Sequence, residues 1–537
     1  MVMRPIVVAR PAGAPSTIGE QRPGCHRHHR DAARVVRVLR EGGTHMSAWC
    51  RSIAVVLVLA AGISCSRTRS ERAANAGAQP ARQGPVVEDL GPFPPDLGVL
   101  QVTSDGLHVA YYVASADGVV VYVDGLEVAR CVGVSKDLFA LSPDGSRWSG
   151  VLMTGREQAT VFIDGEPRQD LIGAANFAYT ADSKRLAYVA VRPTGPSLVV
   201  NGEEQPPAPD LMTASDLRFL PDGKSVAYVV GQGRSRRFVI GGQAQPVYED
   251  LAPKSLALSS DGRHWAYSAR ANGRWVVVVD GAEVARFDRL GQSPLLSRDG
   301  TRWACAGLRG RDVVLVTPDG ESTIAGDMAL GSLVLSDDGT HTAYIAGKDG
   351  SWRVVVDGRA DPGYTDIANA RVVFSPGGAH YAYTVMFGGT LQKQTESQPP
   401  RRVGARYVAI LDGVPGPDYD LISDGVPIFS PDGARLAYTA RRDNKGYAVL
   451  DGRELPTGSN SSGEALRFSP DSKHLAYATF DESGCHVAID GDIGPAVEMV
   501  VQGGPAWAGN DEVVYLALRG DRLLRVRQPV PTTQPGG

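Results

Sequence analysis

Apolar and polar positions alternate in short bursts along most of this chain, and each burst stops at a turn residue. Residues 429–452 read FSPDGARLAYTARRDNKGYAVLDG: a period-two run after Asp432-Gly433, a polar break at Asp443-Asn444, a second run, then Asp451-Gly452. Such runs predict strands. Asp-Gly and Asn-Gly between them predict tight hairpins, because Asp and Asn tolerate left-handed backbone and Gly adopts it freely. The carboxylates of Asp432 and Asp451 are therefore read as turn formers.

The stretch recurs. With the Asp of the Ser-Pro-Asp-Gly-like turn as marker, copies stand at Asp105, Asp144, Asp182, Asp222, Asp261, Asp299, Asp338, Gly377, Asp432 and Asp471. Their spacings are 39, 38, 40, 39, 38, 39, 39, 55 and 39 residues, and a weaker eleventh copy follows at Asp511. A fixed period of this size marks an architecture of stacked units. Six residues after the marker stands an aromatic column: Tyr111, Tyr188, Tyr228, Tyr267, Tyr344, Tyr383, Tyr438 and Tyr477. The position before it is Ala in most copies, and the one before that is large and apolar. This alternation predicts a strand covered on both faces, with a neighbour close on the small side. A strand ahead of each marker, a third such as WVVVVDG and a fourth such as PVYEDL complete a four-stranded unit, which at this period is a β-propeller blade.

The FSPDG…LAY signature resembles the WD40-like propeller repeat of the PD40, TolB type, also found in the propeller domains of prolyl-oligopeptidase-like enzymes. The resemblance covers about residues 85–527 and implies an all-β fold of about eleven blades. Propellers typically have four to eight blades, so two tandem rings of five and six are expected ahead of one large ring. GPVVEDL at 84–90 is similar to QPVYEDL at 245–251, so the chain begins on an outer strand and ends after a third strand. The two ends could then share one blade.

Composition narrows the partners. The formal charge is −4, but the first 65 residues hold nine Lys/Arg against three Asp/Glu, leaving −10 on the rest (46 Lys/Arg against 56 Asp/Glu). Nucleic acid is a poor partner for such a body.

The N-terminal region follows other rules. Residues 46–65 contain one Arg, an apolar run from Ile53 to Ile63, then Ser64-Cys65. The run is short for a membrane span and fits the apolar core of a secretion signal. A cysteine directly after it resembles the lipobox of bacterial lipoproteins, with Gly62 where that family usually has Leu. The resemblance implies lipidation of Cys65, attachment to a membrane through that lipid, and a periplasmic or outer-membrane-anchored location. Residues 1–45 are Arg-rich and aperiodic, and are expected to be upstream sequence with Met46 as the true start. Residues 66–84 read as a flexible tether and 529–537 as a disordered tail, flanking a propeller over 85–528.

Candidate chemistry is sparse. No G-x-S-x-G nucleophile elbow occurs, and no helical segments remain for a hydrolase domain. Cys131, Cys305 and Cys485 fall in different units and read as buried thiols. His108, His264, His341, His380 and His474 all stand three residues after the marker, a slot that is Arg147, Arg185, Arg302 and Arg435 elsewhere. A slot that takes either residue reads as the solvated start of a strand, not a metal ring. Nothing in the pattern calls for a cofactor, metal or catalytic residue. The 55-residue spacing contains a polar insertion from Met386 to Tyr407, with Gln394, Arg401 and Arg402 as candidate partner contacts. The expected function is a non-enzymatic, envelope-anchored platform for a protein, peptide or glycan. The alternative is an enzyme or small-ligand propeller with its site in a central channel.

Overall fold

A computed structural model describes residues 84–531 except 95–96, 157, 207–210, 212–213, 349, 393–400, 423–426, 460–463 and 502. The expected upstream extension, the signal segment with Cys65, the tether up to residue 83 and the tail from 532 lie outside the described residues.

The described residues form strands and turns without an α-helix. Eleven antiparallel sheets follow one another, each with four strand positions; in four of them the innermost strand is split into two short pieces. Blade 1 begins at Gly98, and blade 10 ends at Ile493. Blade 11 is shared between the two ends of the chain. Its outer strand is Val86–Pro92, which pairs with Arg522–Pro529 in the register Val86↔Arg527 to Pro92↔Arg522. An Asp89–Arg522 ion pair of 2.8 Å lies across that seam. The chain is an eleven-bladed β-propeller.

The core lies between blades, and its eleven buried clusters correspond to eleven junctions. Leu100, Ala110 and Val121 of blade 1 pack on Phe139, Leu141 and Trp148 of blade 2. Blade 5 meets blade 4 through Tyr267, Ala269 and Val276, and meets blade 6 through Val277, Val279 and Phe287. Leu516, Leu518 and Leu523 of blade 11 cover Val109 and Tyr111 of blade 1. Two tandem rings would require blade 5 to close on blade 1. Both faces of each are already covered by other blades, so the expectation of rings of five and six gives way to one ring. The Ala column makes the close approach possible: Ala110, Ala187, Ala227, Ala266 and Ala476 are wholly buried, and each large neighbour removed from water contributes roughly 1.5–3 kcal/mol.

The Asp-Gly pairs are turns. Asp451 and Gly452 have φ of 51° and 80°, positive at both central positions as a two-residue hairpin requires. At the marker, the Ser430 hydroxyl donates to Asp432 Oδ1 at 2.5 Å, and the same carboxylate accepts the Ala434 N–H at 3.0 Å. Most copies repeat this arrangement with Ser or Thr two residues before the Asp.

The His/Arg slot is not simply a solvated strand start. His108, His341, His380 and His474 each place Nδ1 2.6 Å from the Asp of their own blade's second hairpin, and His264 does so at 2.8 Å. Arg147 and Arg435 grip the matching Asp164 and Asp451. The other oxygen of that Asp accepts the next backbone N–H, as from Val109 to Asp124 at 2.8 Å. One carboxylate thus ties the marker turn to the second hairpin, which either His or Arg can satisfy. The slot also locks blades together: a Cβ on Gly300 of blade 6 would lie 2.4 Å from His264 Cβ of blade 5, so that turn requires glycine.

These turns set a pH range for stability. Hydrogen bonds from Ser336 and then Thr340 hold the Asp338 carboxyl down at about 2, against 3.8 unfolded. Its contribution is complete above the unfolded value and is lost as pH falls through the folded one. The hydrogen bond to Asp280 raises His264 above 6.5. A raised imidazole contributes fully below its unfolded value and loses that contribution as pH rises through the folded value. The urea midpoint, followed by tryptophan fluorescence, is expected to be highest between about pH 4 and 6.5 and to fall steeply toward pH 2. A midpoint that stays flat down to pH 2 would contradict this assignment of the turns.

Candidate functional site: the eighth blade

In a four-stranded antiparallel blade, the 1–2 and 3–4 turns emerge on one face of the ring. The 2–3 hairpins and the links between blades emerge on the other. The marker turns and His/Arg–Asp ties therefore share the first face, and the 386–407 insertion belongs to the second. Blade 8 departs from its sisters on both. It has Gly377 in place of the marker Asp, the insertion between its second and third strands, and Gly416 in its outer strand.

The insertion is a β arm. Its strands run Tyr381–Gln392 and Arg401–Leu411 and stay paired from Ala382↔Leu411 to Gln392↔Arg401. The sister hairpin of blade 9 stops at Arg442↔Lys445. Five further residues per strand at about 3.3 Å each extend the ladder by about 16 Å. Arg401 and Arg402 stand opposite Gln392 and Leu391, and Gln394 lies outside the described residues.

The root of the arm is held by ion pairs. Arg406 meets Asp418 at 2.6 Å and Asp420 at 2.5 Å, while Asp420 also accepts the Asp443 N–H at 2.8 Å. Arg442 of blade 9 donates to the Asp418 carbonyl at 2.9 Å, pairs with Glu454 at 2.9 Å and stacks 4.5 Å over the Tyr419 ring. Two blades thus share one charged cluster beneath the arm. Exposed pairs contribute about 0–1 kcal/mol each, so the cluster fixes direction more than it adds stability.

Other reactive side chains have structural surroundings. Cys131, Cys305 and Cys485 are buried thiols, and burial pushes Cys305 up to about 12. Sequence reasoning passed over a Ser-His-Asp group in blade 10. Ser483 Oγ lies 3.0 Å from His486 Nε2, but Asp481 Oδ1 contacts the same nitrogen at 3.1 Å, and Nδ1 faces the Gly494 carbonyl at 3.0 Å. A catalytic relay needs the carboxylate on the opposite nitrogen. Here Asp481 instead accepts the Ser483 hydroxyl at 2.5 Å and its N–H at 2.7 Å, which closes the hairpin. Among the described residues no three His, Cys, Asp or Glu side chains converge as a metal-binding set.

No family model matches the chain, and no curated protein does. Among solved structures it is similar to the β-propeller domain of the trilobed protease from Pyrococcus furiosus, at 13% identity and a TM-score of 0.25, over 60% of this chain and 99% of that one. It is also similar to the β-propeller domain of Cps50 (Swd1) from Myceliophteria thermophila, at 12% identity and a TM-score of 0.24, over 50% and 94%. A eukaryotic initiation factor structure aligns at 12% identity and a TM-score of 0.35, over 65% and 92%. The fold assignment rests on the blades themselves.

Proposed function

We propose that this protein is a non-enzymatic, envelope-anchored binding platform. A lipid on Cys65 holds the start of the chain at a membrane, the 66–84 segment spaces the ring from it, and the blade 8 arm engages a protein, peptide or glycan. The supporting observation is the arm: one blade in eleven extends its 2–3 ladder by about 16 Å and has its root held to the next blade by the Arg406 and Arg442 cluster. A propeller supplies the rigid base such an arm needs, and loops on rigid scaffolds commonly carry recognition.

Deleting 389–404 is expected to leave the free energy of unfolding in urea within about 0.5 kcal/mol of wild type, as for surface changes generally. It should abolish capture of the partner that wild type crosslinks in native cells. Cys65→Ala is expected to release the protein from the membrane fraction without affecting the arm contact. An identical crosslinked set with and without the arm would contradict the role of the arm, and unchanged membrane attachment of Cys65→Ala would contradict the anchor.

A further inference from the structure

Blade 8 also differs on its other face, at a position that several sister blades use as an internal plug. Each outer strand starts from an Asp-Gly hairpin or its equivalent, and in several blades the fourth residue after that Asp faces the next blade, whereas blade 6 has the exposed Ser322 there. In blades 1 and 5 it is Val128 and Val284, packed into the 1/2 and 5/6 junctions. In blade 9 it is Leu455, which joins Leu466, Leu475 and Tyr477 of blade 10. In blade 7 it is Asp361, which accepts the Tyr383 hydroxyl of blade 8 at 2.8 Å. Blade 10 has Gly494, and there Gln528 of blade 11 fills the space. In blade 8 the residue is Gly416, and a Cβ there would meet only the Ala409 carbonyl at 3.3 Å and the Tyr438 hydroxyl at 3.6 Å.

Beside Gly416 a cleft of about 520 Å³ lies between blades 8 and 9, a volume within the range of ligand sites. Its walls are apolar: Leu411, Val414 and Pro415 on one side, Phe429 and Leu436 on the other, with Tyr438 between them. Its rim holds His380 with Asp412 and Arg435 with Asp451, each side chain already partnered. A smaller cleft of about 350 Å³ occurs at the 3/4 junction, where the equivalent residue is Gln205 beside Tyr228.

We infer that the 8/9 cleft binds an uncharged peptide segment by taking in one large apolar side chain, Leu, Met or Phe, where the next junction holds its own Leu455. Three features define that occupant. Arg435 on the rim is already paired with Asp451 and the other rim carboxylate, Asp412, is bound to His380, so the rim offers no free cation to an anionic ligand. Leu411 and Val414 keep 37% and 65% of their surface exposed, apolar area that an inserted side chain would cover. Pro415 and Pro417 lack N–H donors, so the strand's outer edge is a poor template for an added strand, and entry is between the blades. His380 has Nδ1 engaged by Asp412, which leaves Nε2 for a hydrogen bond with the peptide backbone.

The site is independent of the arm, so it can fail while the platform reading stands. The probes are N-acetyl-leucinamide and N-acetyl-phenylalaninamide, followed by saturation-transfer NMR on the full chain. Both are expected to bind the wild type and the 389–404 deletion equally. Gly416→Leu supplies the plug and is expected to weaken binding at least about tenfold, a loss of about 1.4 kcal/mol or more in binding free energy, while raising the urea midpoint. Val414→Ser, at an exposed position, is expected to weaken binding about threefold without affecting folding. Binding unchanged in both variants, or no binding to wild type, would overturn the inference.

Discussion

Deleting residues 84–92 is expected to lower the free energy of unfolding by on the order of 5 kcal/mol. The strand supplies the outer edge of blade 11, and Leu90 near its end packs against the cluster joining blades 11 and 1. The Tyr111 hydroxyl donates to the Pro92 carbonyl, an acceptor removed with the strand. Loss of the strand would also expose Arg522–Pro529, including Leu524 and Val526, as an unpaired edge. Such edges invite association between chains. Denaturant unfolding should show the loss in stability, and sedimentation at raised concentration should show self-association. A truncated chain with an unchanged midpoint would mean that this strand does not close the ring.

Tyr383→Ala is expected to cost about 3–5 kcal/mol, the range for removing a buried aromatic side chain. Tyr383 is wholly buried at the 7/8 junction among Ala343, Ile345, Val354 and Val385. Its hydroxyl and that of Tyr381 both donate to Asp361, at 2.8 and 3.1 Å. Burial, reinforced by that carboxylate, pushes Tyr381 up to about 12, so both phenols remain neutral donors at ordinary pH. Tyr383→Phe keeps the packing and leaves Asp361 with Tyr381, so its cost should be only about 1–2 kcal/mol. Comparing the two urea midpoints separates packing from the hydrogen bond. Similar losses in both would contradict the packing assignment.

The blade was legible in the sequence because each blade meets the same demands. A strand lying between two neighbours needs a large residue, a small one and a tyrosine in turn, and it needs them every 39 residues or so. The number of blades in the ring was not legible, because it depends on which face covers which, and identical repeats carry no record of that. The end match between GPVVEDL and QPVYEDL did foreshadow the shared blade.

The site was legible in part. The arm broke the period and was visible as an insertion, although its continuous pairing was not. The His–Asp ties could have been found: His108 and Asp124, His264 and Asp280, His341 and Asp357, and His474 and Asp490 all stand 16 residues apart. Only His380 and Asp412 break that offset, because the arm lies between them. Gly416 gave no signal, since one more glycine beside two prolines reads as a turn. Its meaning depends on the side chains that fill the same place in sister blades.

The single closed ring is tested most directly by pairing its two ends. Val86 and Arg527 stand opposite each other in the closing ladder, both with exposed side chains, and directly opposed Cβ atoms lie about 4.5–5.5 Å apart. Val86→Cys with Arg527→Cys should form an intramolecular disulfide in the folded monomer, seen as one crosslinked peptide joining the two ends. If residue 86 instead crosslinks to a cysteine placed in the outer strand of blade 5, at Ala282, and not to 527, the chain closes in two rings.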